Sequence, residues 1–159
     1  MIYGDSTKDD VACDVVETDS GKYVICGYSN STKNGDYDFY LLEISEEGGV
    51  IWERKMGESG DDKAYSLAKT NDGGFILAGE TKPQESQYKD IYVVKVDSNG
   101  NKLWAKKYGG ELNDEASCIK TTSDGGYIVV GGTASFGPNA YNVYVLKLNK
   151  DGNTGANPK

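Results

Sequence analysis

The apolar residues of this chain form short runs separated by glycine-containing turns. Between positions 62 and 108, apolar and polar residues alternate over 62–70, and the run 75–79 is almost wholly apolar. Two further short runs follow at 91–96 and 102–108. Alternation with a period of two and short apolar runs bounded by turns are typical of β-strands, and no segment shows the 3.6-residue period of a helix. The pattern predicts four strands in this stretch and an all-β chain.

The four-strand pattern occurs three times, with an offset of 52 residues. Such an internal period is typical of an architecture built from stacked units. We place unit 1 at 5–57, unit 2 at 58–109 and unit 3 at 110–153 of one segment spanning 1–159. Trp52 and Trp104 also coincide, and we expect both to be largely buried. Other coinciding residues are Ala12, Ala64 and Ala116; Gly27, Gly79 and Gly131; and Tyr40, Tyr92 and Tyr144.

The turns have residues that suit tight hairpins. Gly73 and its equivalent Gly125 lie in Asp-Gly-Gly turns, where we expect a positive φ that glycine adopts without strain. The segment 97–101 resembles the start of a calcium-binding loop. That loop requires glycine at its sixth position and a bidentate glutamate at its twelfth, where this chain has Lys102 and Tyr108. We therefore interpret 97–101 as a hairpin turn.

Three sequence patterns carry a family resemblance. They are Thr-x-Asp-Gly-Gly-(Phe/Tyr)-Ile-x-x-Gly at 70–79, Asp-x-Tyr-Val-x-Lys at 90–95 and Gly-x-x-Leu-Trp at 100–104. Together they resemble the propeller repeats of bacterial and archaeal surface proteins. They are distantly similar to kelch repeats, in which a glycine pair such as Gly131-Gly132 precedes a tyrosine and a tryptophan. The resemblance implies a β-propeller with four-stranded antiparallel blades, three of them in this chain, and an extracellular or cell-surface location.

Composition and charge narrow the possible partners. The formal net charge is −8 and no basic stripe is present, which argues against binding to nucleic acid or to anionic membrane surfaces. No apolar run approaches the roughly 18–20 residues that a membrane span needs. The first residues lead directly into a polar stretch, so we expect no secretory signal peptide in this chain and no membrane insertion.

The residue types available exclude several kinds of catalytic and metal site. The chain has no histidine, so Ser-His-Asp and Cys-His catalysis and imidazole metal ligands are absent. Its three cysteines include no Cys-x-x-Cys motif, so we expect neither a metal nor another cofactor. Cys13 and Cys26 lie on neighbouring strands of one predicted hairpin and point to the same face. They either form a disulfide or remain free, buried thiols.

An aspartate recurs just before the first strand of every unit. Because Asp10, Asp62 and Asp114 occur once in each copy, we expect a structural role in which the carboxylate accepts hydrogen bonds from the backbone amides of a turn. The alternative is a ring of carboxylates around a central channel that binds a cation.

The candidate ligand-binding residues lie where the repeat breaks down. The loops 29–37, 81–89 and 133–141 differ completely between units. Loops that do not form part of the repeated framework can vary in sequence and bind ligands. They carry aromatic residues among small polar ones, a composition typical of contact surfaces, although simple solvated connectors would also look like this. The sequence predicts a non-catalytic binding or scaffold module for a protein or glycan ligand. The alternative is a carbohydrate-active enzyme that uses loop carboxylates. The candidate residues are Tyr37, Tyr88, Phe136 and Tyr141.

The third unit lacks the sequence of a fourth strand, since position 156 holds alanine where the repeat would place tryptophan. Residues 1–4 match the end of a fourth strand instead. Three blades do not close a ring, because propellers have about four to eight. We therefore expect two chains to associate head to tail into a six-bladed ring. The alternative is that the chain is a fragment of a longer propeller.

Overall fold

Eleven β-strands make up the regular structure of residues 1–138 and 140–155, the part of the chain that the computed structural model describes. No helix occurs in this part, so the all-β prediction is confirmed and nothing in it could cross a membrane as a helix. The strands are β1 (Asp10–Glu17), β2 (Tyr23–Ser29), β3 (Asp38–Ile44), β4 (Val50–Met56), β5 (Gly60–Lys69), β6 (Phe75–Pro83), β7 (Asp90–Val96), β8 (Lys102–Tyr108), β9 (Asp114–Thr121), β10 (Tyr127–Thr133) and β11 (Asn142–Leu148).

The strands form three antiparallel sheets in chain order. The first sheet is β1-β2-β3-β4, the second is β5-β6-β7-β8, and the third is β9-β10-β11. In the third sheet, Thr154 forms a bridge with Leu148, at the register where Val50 pairs with Ile44 in the first. The unmatched alanine at position 156 and the rest of the tail lie outside the described residues.

The sheets stack face to face, and two apolar cores lie between them. Val24, Phe39 and Leu41 of the first sheet pack with Leu67 and Leu77 of the second, and all five are fully buried. The opposite face of the second sheet packs on the third sheet in the same way. Burying one such side chain contributes roughly 1.5–3 kcal/mol, so these faces are the main source of stability.

A β-bulge in the first strand of each sheet explains the repeated glycine of the second strand. The bulge skips Cys13 in β1, where Ala12 pairs with Gly27 and Asp14 pairs with Cys26. The backbone carbonyl of Val11 is thereby pressed against Gly27, so a Cβ there would overlap it. The same overlap would occur at Gly79 and Gly131, which are equivalent to Gly27. Glycine is retained because the strands approach too closely for a side chain.

The turns match their predicted chemistry. Gly73 and Gly125 have φ values of 80° and 78°, which confirms the positive φ expected of them. In 97–101 the Gly100 N–H donates to the Asp97 carbonyl, 3.1 Å away, and the Asp97 carboxylate accepts from the N–H of Asn101 at 2.9 Å. The acidic residue of this calcium-like sequence therefore caps its own hairpin turn.

The two tryptophans occupy equivalent places in successive sheets, as predicted. Trp52 and Trp104 are both half-buried. Each lies on the last strand of a four-stranded sheet, where one side of the ring remains open to solvent. The other side of the Trp52 ring covers the β7–β8 turn, and that of Trp104 covers the turn after β11, so that a side chain at Gly100 or Gly152 would collide with the indole. Both sites are therefore equivalent, as predicted, and each indole is buried in part rather than completely.

The aspartate that begins each unit caps a backbone amide, as predicted. The Oδ2 atom of Asp62 accepts a hydrogen bond from the Glu58 N–H at 2.6 Å, which ties the end of β4 to the start of β5. Asp62 and Asp114 are completely buried. The corresponding distances are 2.7 Å from Asp5 N to Asp10 Oδ2 and 2.8 Å from Gly110 N to Asp114 Oδ2.

The cysteines are free, and the expectation that Cys13 and Cys26 share one buried face is wrong. Cys13 is exposed, whereas Cys26 is buried, and burial raises the pKa of its thiol. The cause is the bulge in β1, because the extra residue breaks the alternation from which the shared face was predicted.

Candidate functional site

Side chains that differ from sheet to sheet meet at one edge of the stack, which we call the loop edge. Here β2, β6 and β10 end, β3, β7 and β11 begin, and the three variable loops connect them. Eight side chains from all three sheets form a connected set on this edge. This tyrosine–lysine cluster consists of Tyr28, Tyr37, Lys63, Tyr65, Glu80, Lys89, Glu115 and Tyr141.

The repeated framework determines where these side chains lie. Tyr28 directly follows the invariant Gly27 at the end of β2, and Glu80 occupies the same place in β6. Lys63 precedes the bulge of β5, and Tyr65 is the bulged residue itself. A bulge changes the direction of the side chains around it, and here it brings two of them to the loop edge.

Three tyrosine rings form the part of the cluster nearest the first sheet. The rings of Tyr28 and Tyr37 meet edge to face with centroids 5.4 Å apart, and Tyr28 meets Tyr65 in the same way at 6.3 Å. The ammonium group of Lys63 lies 4.7 Å from the Tyr37 ring centroid and 5.5 Å from that of Tyr28. Such edge-to-face and cation–π contacts fix the rings of two different sheets against each other.

The hydroxyl of Tyr37 donates a hydrogen bond to Asp9 Oδ2 at 3.1 Å. This bond, together with the negative charge of Asp9, raises the pKa of Tyr37. The phenol is therefore neutral at physiological pH and acts as a hydrogen-bond donor.

Lys89 joins the second and third sheets. Its ammonium lies 2.6 Å from Glu80 Oε2 and 2.5 Å from Glu115 Oε2. Burial opposes the positive charge, but the hydrogen bonds to Glu115 and Glu80 outweigh it and raise the pKa of Lys89. Burial also raises the pKa of Tyr65, with further contributions from the charge of Glu80 and a hydrogen bond to it.

Tyr141 ends the cluster in the third sheet. Its ring lies against Gly132, which stands where the first two sheets have Tyr28 and Glu80. The absence of a side chain at Gly132 leaves room for this ring. Partial burial, followed by the charge of Glu115 and a hydrogen bond to it, raises the pKa of Tyr141. The side chain is nevertheless 51% exposed, so one part of it is open to a ligand.

Of the four residues predicted from the sequence, the structure brings only Tyr37 and Tyr141 into the cluster. Tyr88 is exposed on the loop between β6 and β7, outside the cluster. Phe136 packs on Tyr144 instead, with ring centroids 5.3 Å apart. The sequence analysis missed six members, because five of them lie on strands rather than in the loops and because only aromatic residues were selected within the loops, which excluded Lys89. Their signal was variation from one unit to the next beside a residue that all three units share, as at Lys63 and Tyr65 on either side of Ala64.

The opposite edge of the stack, which carries the β1–β2 and β3–β4 turns, contains a polar groove of about 750 Å³ between the first two sheets. The ammonium of Lys69 and the Asp19 carboxylate bridge this groove at 2.6 Å. Both are well exposed, so the pair contributes little to stability. The charges of the groove are thus paired with one another, and we assign it no ligand.

Among the described residues, no group of three or more aspartate, glutamate or cysteine side chains is placed to bind one metal ion. The amide-capping role of Asp10, Asp62 and Asp114 accounts for one oxygen of each carboxylate.

Comparison with known proteins shows a similarity over part of the chain. No protein-family model matches the chain. A segment of 111 residues is 27% identical to part of the regulatory protein FlaEY of Caulobacter vibrioides. The segment covers 62% of this chain but only 12% of the Caulobacter protein.

Proposed function

We propose that this chain is a non-catalytic binding module, built from consecutive blades of a β-propeller, whose ligand contacts the tyrosine–lysine cluster. One observation carries the proposal. The residues that repeat between the sheets build the framework, whereas those that differ at equivalent positions on the loop edge contact one another across all three sheets. Variation on a fixed framework is how repeat proteins create binding surfaces.

The stacking supports the propeller part of the proposal. The first strands of neighbouring sheets lie next to each other, β1 beside β5 and β5 beside β9, while the last strands lie farthest from this line of contact. In a propeller the first strands line the central axis in this manner. The cell-surface location that the family resemblance implies remains an expectation.

The chemistry of the cluster suits a glycan. Tyr141 is half exposed and Tyr37 is partly exposed, and tyrosine rings offer flat apolar surfaces with a polar tip. The carboxylates of Glu80 and Glu115 are hydrogen-bond acceptors beside them, and Lys89 is a donor. A sugar has the matching combination of an apolar ring face and surrounding hydroxyl groups.

The same geometry bears on the alternative of a carbohydrate-active enzyme. Glu80 and Glu115 bind one nitrogen, so their oxygens are at most about 5 Å apart, near the separation of roughly 5–5.5 Å found in retaining glycosidases. That mechanism requires a carboxylic acid free to protonate the leaving group. Here the ammonium of Lys89 lies between the two groups and binds both, which favours binding over hydrolysis.

A glycan screen of the purified chain tests the proposal, with each glycan that binds also incubated and analysed for cleavage products. We expect binding without cleavage, and an affinity at least tenfold lower after Tyr37→Ala or Tyr141→Ala. Tyr88→Ala is the matched control, because Tyr88 is equally aromatic and exposed but lies outside the cluster. Cleavage of a glycan would establish the enzyme instead, and equal affinities in all three variants would place the ligand elsewhere.

A further inference from the structure

We propose that two copies of this chain associate head to tail, with the open face of the third sheet in one copy packing on the open face of the first sheet in the other. The trailing face is the side of the third sheet turned away from the second sheet, and it carries Ile128, Val130, Val143 and Val145. The leading face is the side of the first sheet turned away from the second, and it carries Val15, Ile25, Tyr40, Leu42 and Ile44. The proposal is independent of the ligand at the loop edge.

The trailing face repeats a surface that is buried twice within the chain. Phe39 in the first sheet and Ile91 in the second are 0% and 1% exposed, because each is covered by the following sheet. Their equivalent in the third sheet, Val143, is 84% exposed. Val145 is 48% exposed, whereas its equivalent Val93 is fully buried. Apolar side chains that are buried at both internal junctions are thus exposed to solvent at the equivalent positions of the third sheet.

The leading face is the complementary surface. Leu67 and Ile119 are fully buried where the second and third sheets pack on the sheets before them, but the equivalent Val15 is 54% exposed. A hollow of about 220 Å³ lies on this face. Its apolar lining includes Val11, Ile25, Tyr40 and Leu42. A leading face and a trailing face fit each other because the chain already joins this pair of surfaces at both of its internal junctions.

Residues 2–4 already lie where the preceding blade would end its fourth strand. The Tyr3 hydroxyl donates to the Gly48 carbonyl at 2.8 Å, just as the Tyr108 hydroxyl of β8 donates to Gly152 at 2.5 Å. In the other copy, β11 has a strand partner only on its β10 side, apart from the Leu148–Thr154 bridge of the described residues. Docking would place the backbone of 2–4 beside β11.

One polar pair at the proposed junction differs from its internal equivalents. Within the chain, the carboxylates of Asp38 and Asp62 both lie against Gly57, so two acidic groups face each other. Between copies, the partners would be Asn142 and Asp10. The Oδ1 atoms of Asp10, Asp62 and Asp114 are all buried without a hydrogen-bond partner among the described residues. The Asn142 Nδ2 atom donates to the carbonyls of Phe136 and Ala140. Because Asn142 carries no charge, it would not repel the Asp10 carboxylate as an aspartate would.

Light scattering coupled to size exclusion tests the association. We expect a particle of twice the 17.2 kDa chain mass at micromolar concentration. Val143→Glu and Val15→Glu each place a charge in the proposed junction and should weaken association at least tenfold. Leu112→Glu is the control on an exposed apolar residue outside both faces and should leave it unchanged. A monomer, a trimer or an open series of oligomers would overturn the closed pair.

Cross-linking provides a second measurement. Ser66 Oγ accepts a hydrogen bond from the Ile119 N–H at 3.2 Å across an internal junction. Across the proposed junction, Cys118 is the equivalent of Ser66, and Val15 of the other copy is the equivalent of Ile119. The variant Val15→Cys should therefore form a disulfide-linked pair with native Cys118 on mild oxidation. The double variant Val15→Cys/Cys118→Ser should not. Equal cross-linking in both variants would show that the pairing is not at this junction.

Discussion

The side-chain carboxylate of Asp14 in the first sheet accepts a hydrogen bond from the backbone N–H of Leu67 in the second sheet, at 2.9 Å. The bulge at Tyr65 interrupts the strand ladder next to this N–H. The same carboxylate accepts a hydrogen bond from Ser66 Oγ at 3.1 Å. Ser66 Oγ in turn accepts a hydrogen bond from the Ile119 N–H of the third sheet. At the bulges of β5 and β9, the freed N–H is thus satisfied by a side chain of the preceding sheet, and this fixes how the sheets align.

Replacing Asp14 tests this link. Asp14→Ala leaves the buried N–H of Leu67 without an acceptor, so we expect the free energy of unfolding to fall by about 1–3 kcal/mol. Asp14→Ser restores a hydroxyl acceptor of the kind that Ser66 provides in the second sheet and should recover much of the loss. Urea denaturation measures both. Equal stabilities of the alanine and serine variants would contradict a role for the acceptor.

A pair of glycine substitutions separates close packing from backbone strain. Gly79→Ala forces a methyl group onto the backbone of Lys63, which cannot yield without moving a strand, so we expect a loss of more than about 3 kcal/mol. Gly73 has a positive φ but open space around it, so Gly73→Ala should cost only about 1–2 kcal/mol. Denaturation midpoints of the two variants give the comparison, and the reverse order would rule out the bulge as the reason for the conserved glycine position in the repeat.

Trp104 should contribute less to stability than a core residue. Its ring is half-buried over the Gly152 turn, and it lies 6.2 Å from the Tyr127 ring by centroids. We expect Trp104→Ala to cost about 1–3 kcal/mol, below the range of about 3–5 kcal/mol typical of buried aromatics. Thermal unfolding followed by circular dichroism measures the effect, with Tyr92→Ala at a fully buried site as the reference for a larger loss.

The stability should depend on pH through Asp38. Burial, and then the negative charges of Asp62 and Asp36, raise the pKa of Asp38 from 3.8 to about 6. Between these values the folded protein binds more protons than the unfolded chain, so this stabilising contribution is complete below pH 3.8 and is lost as the pH rises through 6. Asp38→Asn should raise stability at pH 7.5 by about 1–2 kcal/mol and flatten this dependence.

Asp36 provides the control for the pH experiment. The Gly60 N–H donates a hydrogen bond to its carboxylate, and this lowers the pKa of Asp36. Its contribution has the opposite sign, because it is present above the unfolded pKa and is lost as the pH falls. Asp36→Asn should therefore reduce stability at pH 7.5. Denaturation curves from pH 4 to 8 measure both variants, and a gain in both would attribute the effect to net charge alone.

The regular part of the fold was accessible from the sequence because each prediction rested on a repeated constraint. The alternation in 62–70 predicted β5, and glycine at positions 73 and 125 predicted the hairpin turns. The candidate site was only partly accessible. Alternation assigns a strand residue to one face or the other, but the bulge at Tyr65 adds a residue and redirects its neighbours. Lys63 and Tyr65 therefore reach the loop edge, and Cys13 reaches the surface, where the simple pattern does not place them.

The hydrogen bond from Leu67 to Asp14 also relates the order of the chain to the order of the stack. Each sheet satisfies the first strand of the sheet that follows it, so a sheet is completed by residues that lie earlier in the chain. During synthesis on the ribosome, Asp14 emerges before Leu67, and Ser66 emerges before Ile119. We therefore expect the acceptor for each of these two N–H groups to be synthesised before the unit that needs it.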